Sequence, residues 1–561
     1  MRARALALAG AAWFIAIGMA RAQAPAQPVP GTVQPGQIER QFQAPPEPRA
    51  QPPAVEVPAP QQGRPPDADK VRFTLKSLFI DGVTVYPDEA LRPIYEPYVN
   101  REVALGNLYG IADALTAKYR NDGYVLSQVV VPAQAIEDGA VRLQAVEGFV
   151  DQVRLEGDIE GRRDLVDGYA AKLKDARPLR ADALERYLLL MNDLPGVSAR
   201  ATLVPSPTQP GASDLVVQIS HRKVSAGASV DNRGSKAIGP LRLTADLDLQ
   251  SVFGAYERTG LKFGVAPNSE LRYVSLDHDQ PVGDEGGRIG LGLSVVRSQP
   301  EVGAGLPVTL ETSSEAASLS YTHPLARSRS RNIYARVALT GHDGRTDING
   351  IRNSEDRIRA LRLGITYDRA DELRGINLLD VEFSQGIDGL GATRSGTPGL
   401  SRTHGRSDFT KLTAYAARLQ SVASRWSILG AVSAQYAFSD LLAPELFGFG
   451  GEQFGRGYDP SEIVGDSGAG LKLELRYTAP VASEALTGYT AYGFYDVGTV
   501  RQRTPANQQA SESAASAGVG LRFSLGRHVS GYFELAKPLT REVAAEGDRD
   551  VRGYFGLSAR Y

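Results

Sequence analysis

Leu241-Arg242-Leu243-Thr244-Ala245-Asp246-Leu247-Asp248-Leu249 alternates apolar and polar residues without a break. Successive side chains of an extended strand point to opposite faces, so this stretch predicts a strand with one greasy and one charged side. The comb recurs as Ile289, Leu291, Leu293 and Val295 against Gly and Ser, and again over Leu361 to Tyr367 and Leu521 to Leu525. From Leu471 to Tyr477 it is Lys472, Glu474 and Arg476 that hold the polar side. A soluble sandwich also alternates, but there the apolar side must meet a second sheet. Combs spread from residue 223 to 561, behind a secretory leader, instead predict an all-β transmembrane barrel with a polar lumen. At roughly 20 residues per strand and connection, that length suits about 16 antiparallel strands.

The leader itself is Arg2 and Arg4, an apolar run from Ala5 to Ala20, and Ala20-Arg21-Ala22, which predicts a cleaved signal peptide over 1–22. No later segment offers 18 consecutive apolar residues. A mean hydropathy of -0.23 nevertheless suits membrane residence if the spans are strands. The absence of cysteine removes disulfides and thiolate chemistry. A net charge of -2 without a basic block gives nucleic acid nothing to bind.

Residues 23–70 are rich in Pro, Gln and Ala and cannot bury a core, so they read as a linker or tail. Within them, Pro35-Gly36-Gln37-Ile38-Glu39-Arg40-Gln41-Phe42-Gln43 is the one stretch that could make a short helix. From residue 71 the pattern changes to small αβ units, and it does so twice, over 71–149 and 150–222. The first opens with a strand from Phe73 to Ile80. A helix follows with Leu108, Ile111, Leu115 and Tyr119 on one face, and strands Tyr124 to Val131 and Val141 to Val146 close the unit. The second repeats the order with a strand Val153 to Glu156, helices Leu165 to Leu173 and Ala181 to Asn192, and strands Val197 to Val204 and Leu215 to Ile219.

Two further segments constrain function. Phe449-Gly450-Gly451-Glu452-Gln453-Phe454-Gly455-Arg456-Gly457-Tyr458 sets an arginine between glycines, where the backbone has unusual freedom. Phe494-Tyr495-Asp496-Val497-Gly498 places a lone Asp in an apolar strand, where burial is costly without a cationic partner. Together they resemble the R-G-Y/F loop and F-x-D-x-G strand of two-partner-secretion (type V) outer-membrane translocators, the TpsB class of ShlB/FhaC-type haemolysin secretion/activation proteins. The two αβ units resemble that family's tandem POTRA domains, most closely in Gly123-Tyr124-Val125-Leu126-Ser127, Asp138-Gly139-Ala140-Val141-Arg142-Leu143 and Val146-Glu147-Gly148. Val230-Asp231-Asn232-Arg233-Gly234-Ser235 and Ala536-Lys537-Pro538-Leu539 extend the resemblance toward both ends of the barrel. Gly455 departs from it, since the family usually carries an apolar residue there.

The resemblance implies periplasmic α+β POTRA domains followed by an outer-membrane barrel of 16 strands. It implies that the loop Gly455, Arg456, Gly457, Tyr458 folds into the lumen, and that Arg456 pairs there with Asp496, on the strand of Phe494 and Gly498. It also implies that the stretch from Pro35 lies in the barrel as a plug helix; a disordered tail is the alternative. The last strand sets Phe555, Leu557, Ala559 and Tyr561 on the lipid side, and a terminal aromatic is the usual signal for barrel assembly. The function expected is export of a large TpsA-like exoprotein from the periplasm to the cell surface, captured by the POTRA pair. Membrane lipids, periplasmic chaperones and the barrel assembly machinery are the other expected partners. Insertion of other barrels into the membrane is the alternative on the same architecture; a passive porin would not need two αβ domains. No enzyme, metal or cofactor is expected, because the six His lack ligand spacing and no nucleophile elbow or phosphate-binding loop is present.

Overall fold

The computed structural model describes residues 29–42, 48, 63–158, 163–209, 211–267, 270–301, 308–481, 483, 485–505 and 509–561. The expected signal peptide and most of the Pro-rich segment lie outside the described residues.

Among the described residues, sixteen antiparallel strands close into a barrel that begins with Val224–Asp231 and ends with Arg552–Arg560. Each strand bonds its sequence neighbour, with one interruption: a two-stranded ribbon, Phe447–Phe449 with Ile463–Gly465, leaves the wall between Trp426–Ala437 and Ser467–Pro480. The combs decide the facing. Ile289, Leu291, Leu293 and Val295 are exposed on the outside, as are Leu361, Leu363 and Ile365. Glu474 and Asp496 are buried among polar partners within the barrel.

Closure makes the barrel edgeless, but unevenly. The strands Arg331–Ile348 and Ile351–Ala370 share eighteen register pairs, whereas the last and first strands share five, from Gly556 with Asp231 to Arg560 with Gly227. Beyond that seam the Tyr561 amide donates to the Ala226 carbonyl at 2.8 Å, and the Ala226 amide returns the bond at 3.2 Å. Phe555, Leu557 and Tyr561 all point outward, Tyr561 being 83% exposed.

The first αβ domain differs from its expected strands in two places. Phe73 to Ile80 is not one strand but two, Arg72–Leu75 and Ser77–Asp81, in different sheets. The amides of Lys76 and Ser77 both donate to the Gly139 carbonyl, which turns the chain between them. Of Tyr124 to Val131 only Gln128–Val130 is strand, because Tyr124 and Ser127 are held in turns by the carbonyls of Tyr119 and Tyr124. The helix Leu105–Asn121 buries Leu108, Ile111, Leu115 and Tyr119 as its spacing requires. In the second domain the helices Arg163–Asp175 and Ala181–Asn192 cover the sheet of Phe149–Gly157, Ala212–His221 and Val197–Pro205. Two residues, Arg222 and Lys223, separate its last strand from the first strand of the barrel.

Deleting Tyr561 removes the two terminal bonds of the shortest pairing in the wall, each worth roughly 1 kcal/mol. The amount of folded barrel extracted from membranes is expected to fall. Unchanged levels on quantitative blotting would make Tyr561 a frayed end.

Candidate functional site in the barrel lumen

The ribbon carries its connecting loop back into the barrel. Gly450, Gly451 and Gly455 all have positive φ, and the Gly450 amide donates to Phe454 and the Tyr458 amide to Gly455, so the loop doubles back twice within nine residues. At Gly455, φ is +82°, and an added Cβ would stand 2.6 Å from the Phe449 ring. This chain therefore has glycine where an apolar side chain was the family expectation, since Phe449 occupies the space and the backbone is left-handed.

The turn delivers Arg456 into a set of buried carboxylates. Its Nε and Nη2 donate to the two oxygens of Asp496, each at 2.9 Å, while Nη1 donates to Glu474 at 2.6 Å and lies 3.7 Å from Glu534. The backbone amides of Gly455 and Arg456 also donate to Asp496. The guanidinium lies 3.6 Å from the centroid of the Phe494 ring. Arg456, Asp496 and Glu474 are all 2% exposed or less. A planar fork meeting a carboxylate edge to edge, capped by an aromatic face, is an arrangement that an ammonium cannot reproduce.

Around this centre charges alternate. Arg476 and Arg522 both donate to Glu474, and Arg233 and the Tyr492 hydroxyl donate to Glu534. Gly457 donates to the Ser516 hydroxyl, and the Tyr458 hydroxyl donates to the Ala515 carbonyl. Gly498 has its own steric role, because a Cβ there would stand 2.2 Å from Phe449.

The structure thus brings Gly455, Arg456, Gly457 and Tyr458 together with Phe494, Asp496 and Gly498. Phe555, Leu557 and Tyr561 lie elsewhere, on the outer wall. Sequence reasoning missed Glu474 as the second partner of Arg456, although its place on the polar side of the Leu471 to Tyr477 comb carried the signal. Arg522 stands likewise on the polar side of the Leu521 to Leu525 comb, while Glu534 lies outside these combs and Arg233 reaches the site only through closure of the last strand on the first.

A second insert fills the lumen. Helix Pro35–Arg40 lies against the ribbon and the opposite wall. The Gln37 amide donates to the carbonyls of Ala443 and Leu446, and its carbonyl accepts from the Ser461 hydroxyl. Glu39 accepts from Ser294 at 2.6 Å and Ser314 at 3.0 Å, with His342 at 3.5 Å. Arg40 donates to the carbonyls of Leu446 and Pro444, and Phe42 stacks on Tyr273 with ring centroids 4.1 Å apart. Nearby, Glu445 is flanked by Arg362 and Lys411. A cavity of about 1410 Å³ remains, lined by charges of both signs including Arg40, Asp246, Lys262, Asp277, Glu382 and Arg560.

Comparison with known proteins places this geometry. The family model described as haemolysin secretion/activation protein ShlB/FhaC/HecB matches residues 211–523, and the ShlB-type POTRA domain matches 73–148. The heme/hemopexin transporter protein HuxB of Haemophilus influenzae is 23% identical over 472 residues, covering 82% of each chain. The outer membrane transporter CdiB of Escherichia coli O6 is 23% identical over 498 residues, covering 83% of this chain and 79% of that one. Among solved structures, CdiB from Escherichia coli superposes with a TM-score of 0.73 at 19% identity, covering 94% of this chain and 95% of that one. BamA from Haemophilus ducreyi lacking POTRA domains 1–3 gives 0.51 at 15% identity, over 87% of this chain and 100% of that one. Both structural likenesses are of fold.

Removing Arg456 takes the guanidinium fork from the buried Asp496 carboxylate, and removing Asp496 leaves the guanidinium with Glu474 as its hydrogen-bonded carboxylate; breaking a buried pair in this way costs about 3–5 kcal/mol at most. Arg456→Ala and Asp496→Ala are each expected to raise the open probability of the purified barrel in planar bilayers while leaving its folded amount unchanged, and Arg456→Lys to rescue poorly. In a double-mutant cycle on the closed–open equilibrium, the double variant should be no worse than either single one. Simple additivity would show that the two residues act independently.

Proposed function

The chain belongs to the haemolysin secretion/activation protein family, and from that premise we propose that it exports one large, secreted partner protein of the haemolysin or adhesin kind across the outer membrane. It is an outer-membrane transporter with a β-barrel and periplasmic POTRA domains. The observation that carries the gated-export reading is that both lumen segments are seated by ion pairs and hydrogen bonds as well as by small apolar clusters, Phe449, Phe454 and Tyr458 for the loop and Ile38 and Phe42 for the helix. The polar part of each seat can be exchanged for water at modest net cost, which leaves only the small apolar clusters to oppose departure of the inserts.

In this reading the partner arrives unfolded in the periplasm, pairs an extended segment with an open strand edge of the POTRA domains through main-chain hydrogen bonds, and enters the lumen as the inserts give way. The polar lining then offers the passing chain hydrogen-bonding groups throughout. No chemical step is involved, and folding of the partner outside supplies direction. Residues 1–22 serve as the leader, 71–149 and 150–222 as the POTRA domains, and 223–561 as the pore. The helix Pro35–Arg40 acts as the plug, and Arg456 with Asp496 as the anchor of the luminal loop. Phe555, Leu557 and Tyr561 present the outward-facing end that chaperones and the barrel assembly machinery recognise before the wall meets lipid. Barrel insertion, the rival activity, shares the fold; membership of a secretion family favours export.

Deleting 71–222 is expected to leave a barrel that inserts and keeps its heat-modifiable mobility in detergent but secretes nothing. Normal partner levels in the medium would remove the POTRA domains from the mechanism. Glu39→Ala strips the plug helix of its bonds to Ser294 and Ser314. Bonds to a charged group are worth about 1.5–3 kcal/mol, so open probability in planar bilayers should rise at least about tenfold. An unchanged conductance would show that the helix is not held through Glu39.

A further inference from the structure

Tyr256 belongs to the periplasmic turn that follows the second barrel strand, Arg242–Gln250, yet it is buried in the core of the second αβ domain. Its ring is 1% exposed and packs in one cluster with Val166, Tyr169, Leu173 and Leu190. The turn that presents it is braced. Glu257 accepts from the amides of Phe253 and Ala255, and the Ser251 amide donates to the Glu257 carbonyl. Ser251 and Tyr256 both sit at φ +54°, a conformation such residues keep only where their surroundings impose it. The Tyr256 hydroxyl finds no hydrogen-bond partner among the described residues. Shape and apolar contact therefore seat this side chain.

Ion pairs surround the peg. From the next turn, Glu285 meets Arg186 at 3.0 Å, Lys172 at 3.3 Å and the Tyr187 hydroxyl at 3.1 Å. Burial would raise the Glu285 carboxyl, but these three donors together hold it below its ordinary value. Farther round the rim, Arg327 grips Asp193 with two bonds of 2.7 and 2.8 Å, Arg288 donates to the Asp193 carbonyl, and the Arg329 amide donates to Glu185. The two-residue connection is bonded on both sides as well: the Arg222 amide donates to Gly196, and the Gln250 amide to Lys223.

We propose that Tyr256 and Glu285 are positioning residues: barrel-borne contacts that fix the second POTRA domain at one angle over the pore entrance, so that a captured chain is handed to the lumen along one line. The role in handing over cargo rests on the export reading above; the fixed angle does not. A domain tethered by a flexible joint would present its strand edges over a wide arc. A peg in its core and charge pairs at several rim positions remove that freedom, and they form only when the domain is seated.

The chain has no cysteine, so spin labels can be placed on the full-length protein by Arg200→Cys in the second domain and Ser424→Cys in a distant periplasmic turn. Pulsed dipolar measurements in lipid, without cargo, should give one narrow distance distribution. Tyr256→Ala and Glu285→Lys should each broaden it and raise the undocked population at least about tenfold. Tyr256→Phe should keep it narrow, since the hydroxyl makes no bond, and adding Arg186→Glu to Glu285→Lys should narrow it again. Partner secretion should fall and recover in step. Glu285 lies outside the core cluster, so its arm reads docking without disturbing the fold of the domain. A narrow distribution in both disruptive variants, or a broad one in the unsubstituted protein, overturns the fixed angle. Distances that respond as expected while secretion stays normal overturn the positioning role. Absence of secretion from the unsubstituted protein with its partner would instead count against the export reading alone.

Discussion

The resting architecture depends on one neutralisation: a guanidinium carried on a loop tip meets carboxylates fixed in a barrel wall. The wall supplies Glu474 with Arg476 and Arg522, but the buried Asp496 takes its guanidinium from the loop, and a buried carboxylate stripped of its counter-charge costs several kcal/mol. Arg456 therefore has only one low-energy place within the barrel. Because the two oxygens of Asp496 accept from two side-chain nitrogens and two backbone amides, they fix the direction of the loop as well as its charge. The glycines are consequences of that seat: Gly455 lets the chain turn, Gly457 lets it approach Ser516, and Gly498 leaves room for Phe449.

From this seat the order spreads to the helix Pro35–Arg40, whose Gln37 and Arg40 bind carbonyls at the base of the same ribbon. The helix is held on its other side by Ser294 and Ser314 through Glu39. Loop and helix thus share a wall of contacts, and movement of one alters the bonds of the other.

The same logic extends to the periplasmic face, with a different balance of forces. There the joint combines an apolar peg, Tyr256, with pairs that are partly solvated, such as Glu285 with Lys172 at 39% exposure each. Exposed pairs contribute little apiece and are screened by salt, so the peg supplies attachment and the charges supply direction. Buried charge thus seats the segments inside the barrel, and an apolar side chain seats the domain below it.

Much of this was written in the chain. Alternation with period two fixed which side chains of Leu361 to Tyr367 meet lipid, because that parity is a property of the extended backbone. The helix Leu105–Asn121 was equally legible, its four buried residues being three or four apart. Arg456 stood out because it lies between two glycines, and Asp496 because a lone carboxylate in an apolar strand is costly without a cationic partner. Local pattern could not show that the chain breaks at Lys76 between two sheets, since that turn is made by the carbonyl of Gly139, far along the sequence. Nor could it show that Glu534 and Arg233 join the arginine site, or that Tyr256 leaves its own barrel to complete the core of another domain. Glu534 arrives through the register of two successive strand pairings, Arg233 through closure, and Tyr256 through the short connection that sets the domains in contact. The sequence by itself determined the faces of the strands and most of the elements, and its family resemblance implied the Arg456–Asp496 pair; the tertiary structure decided which distant residues surround them, because burial and charge balance are properties of the folded barrel and not of any one strand.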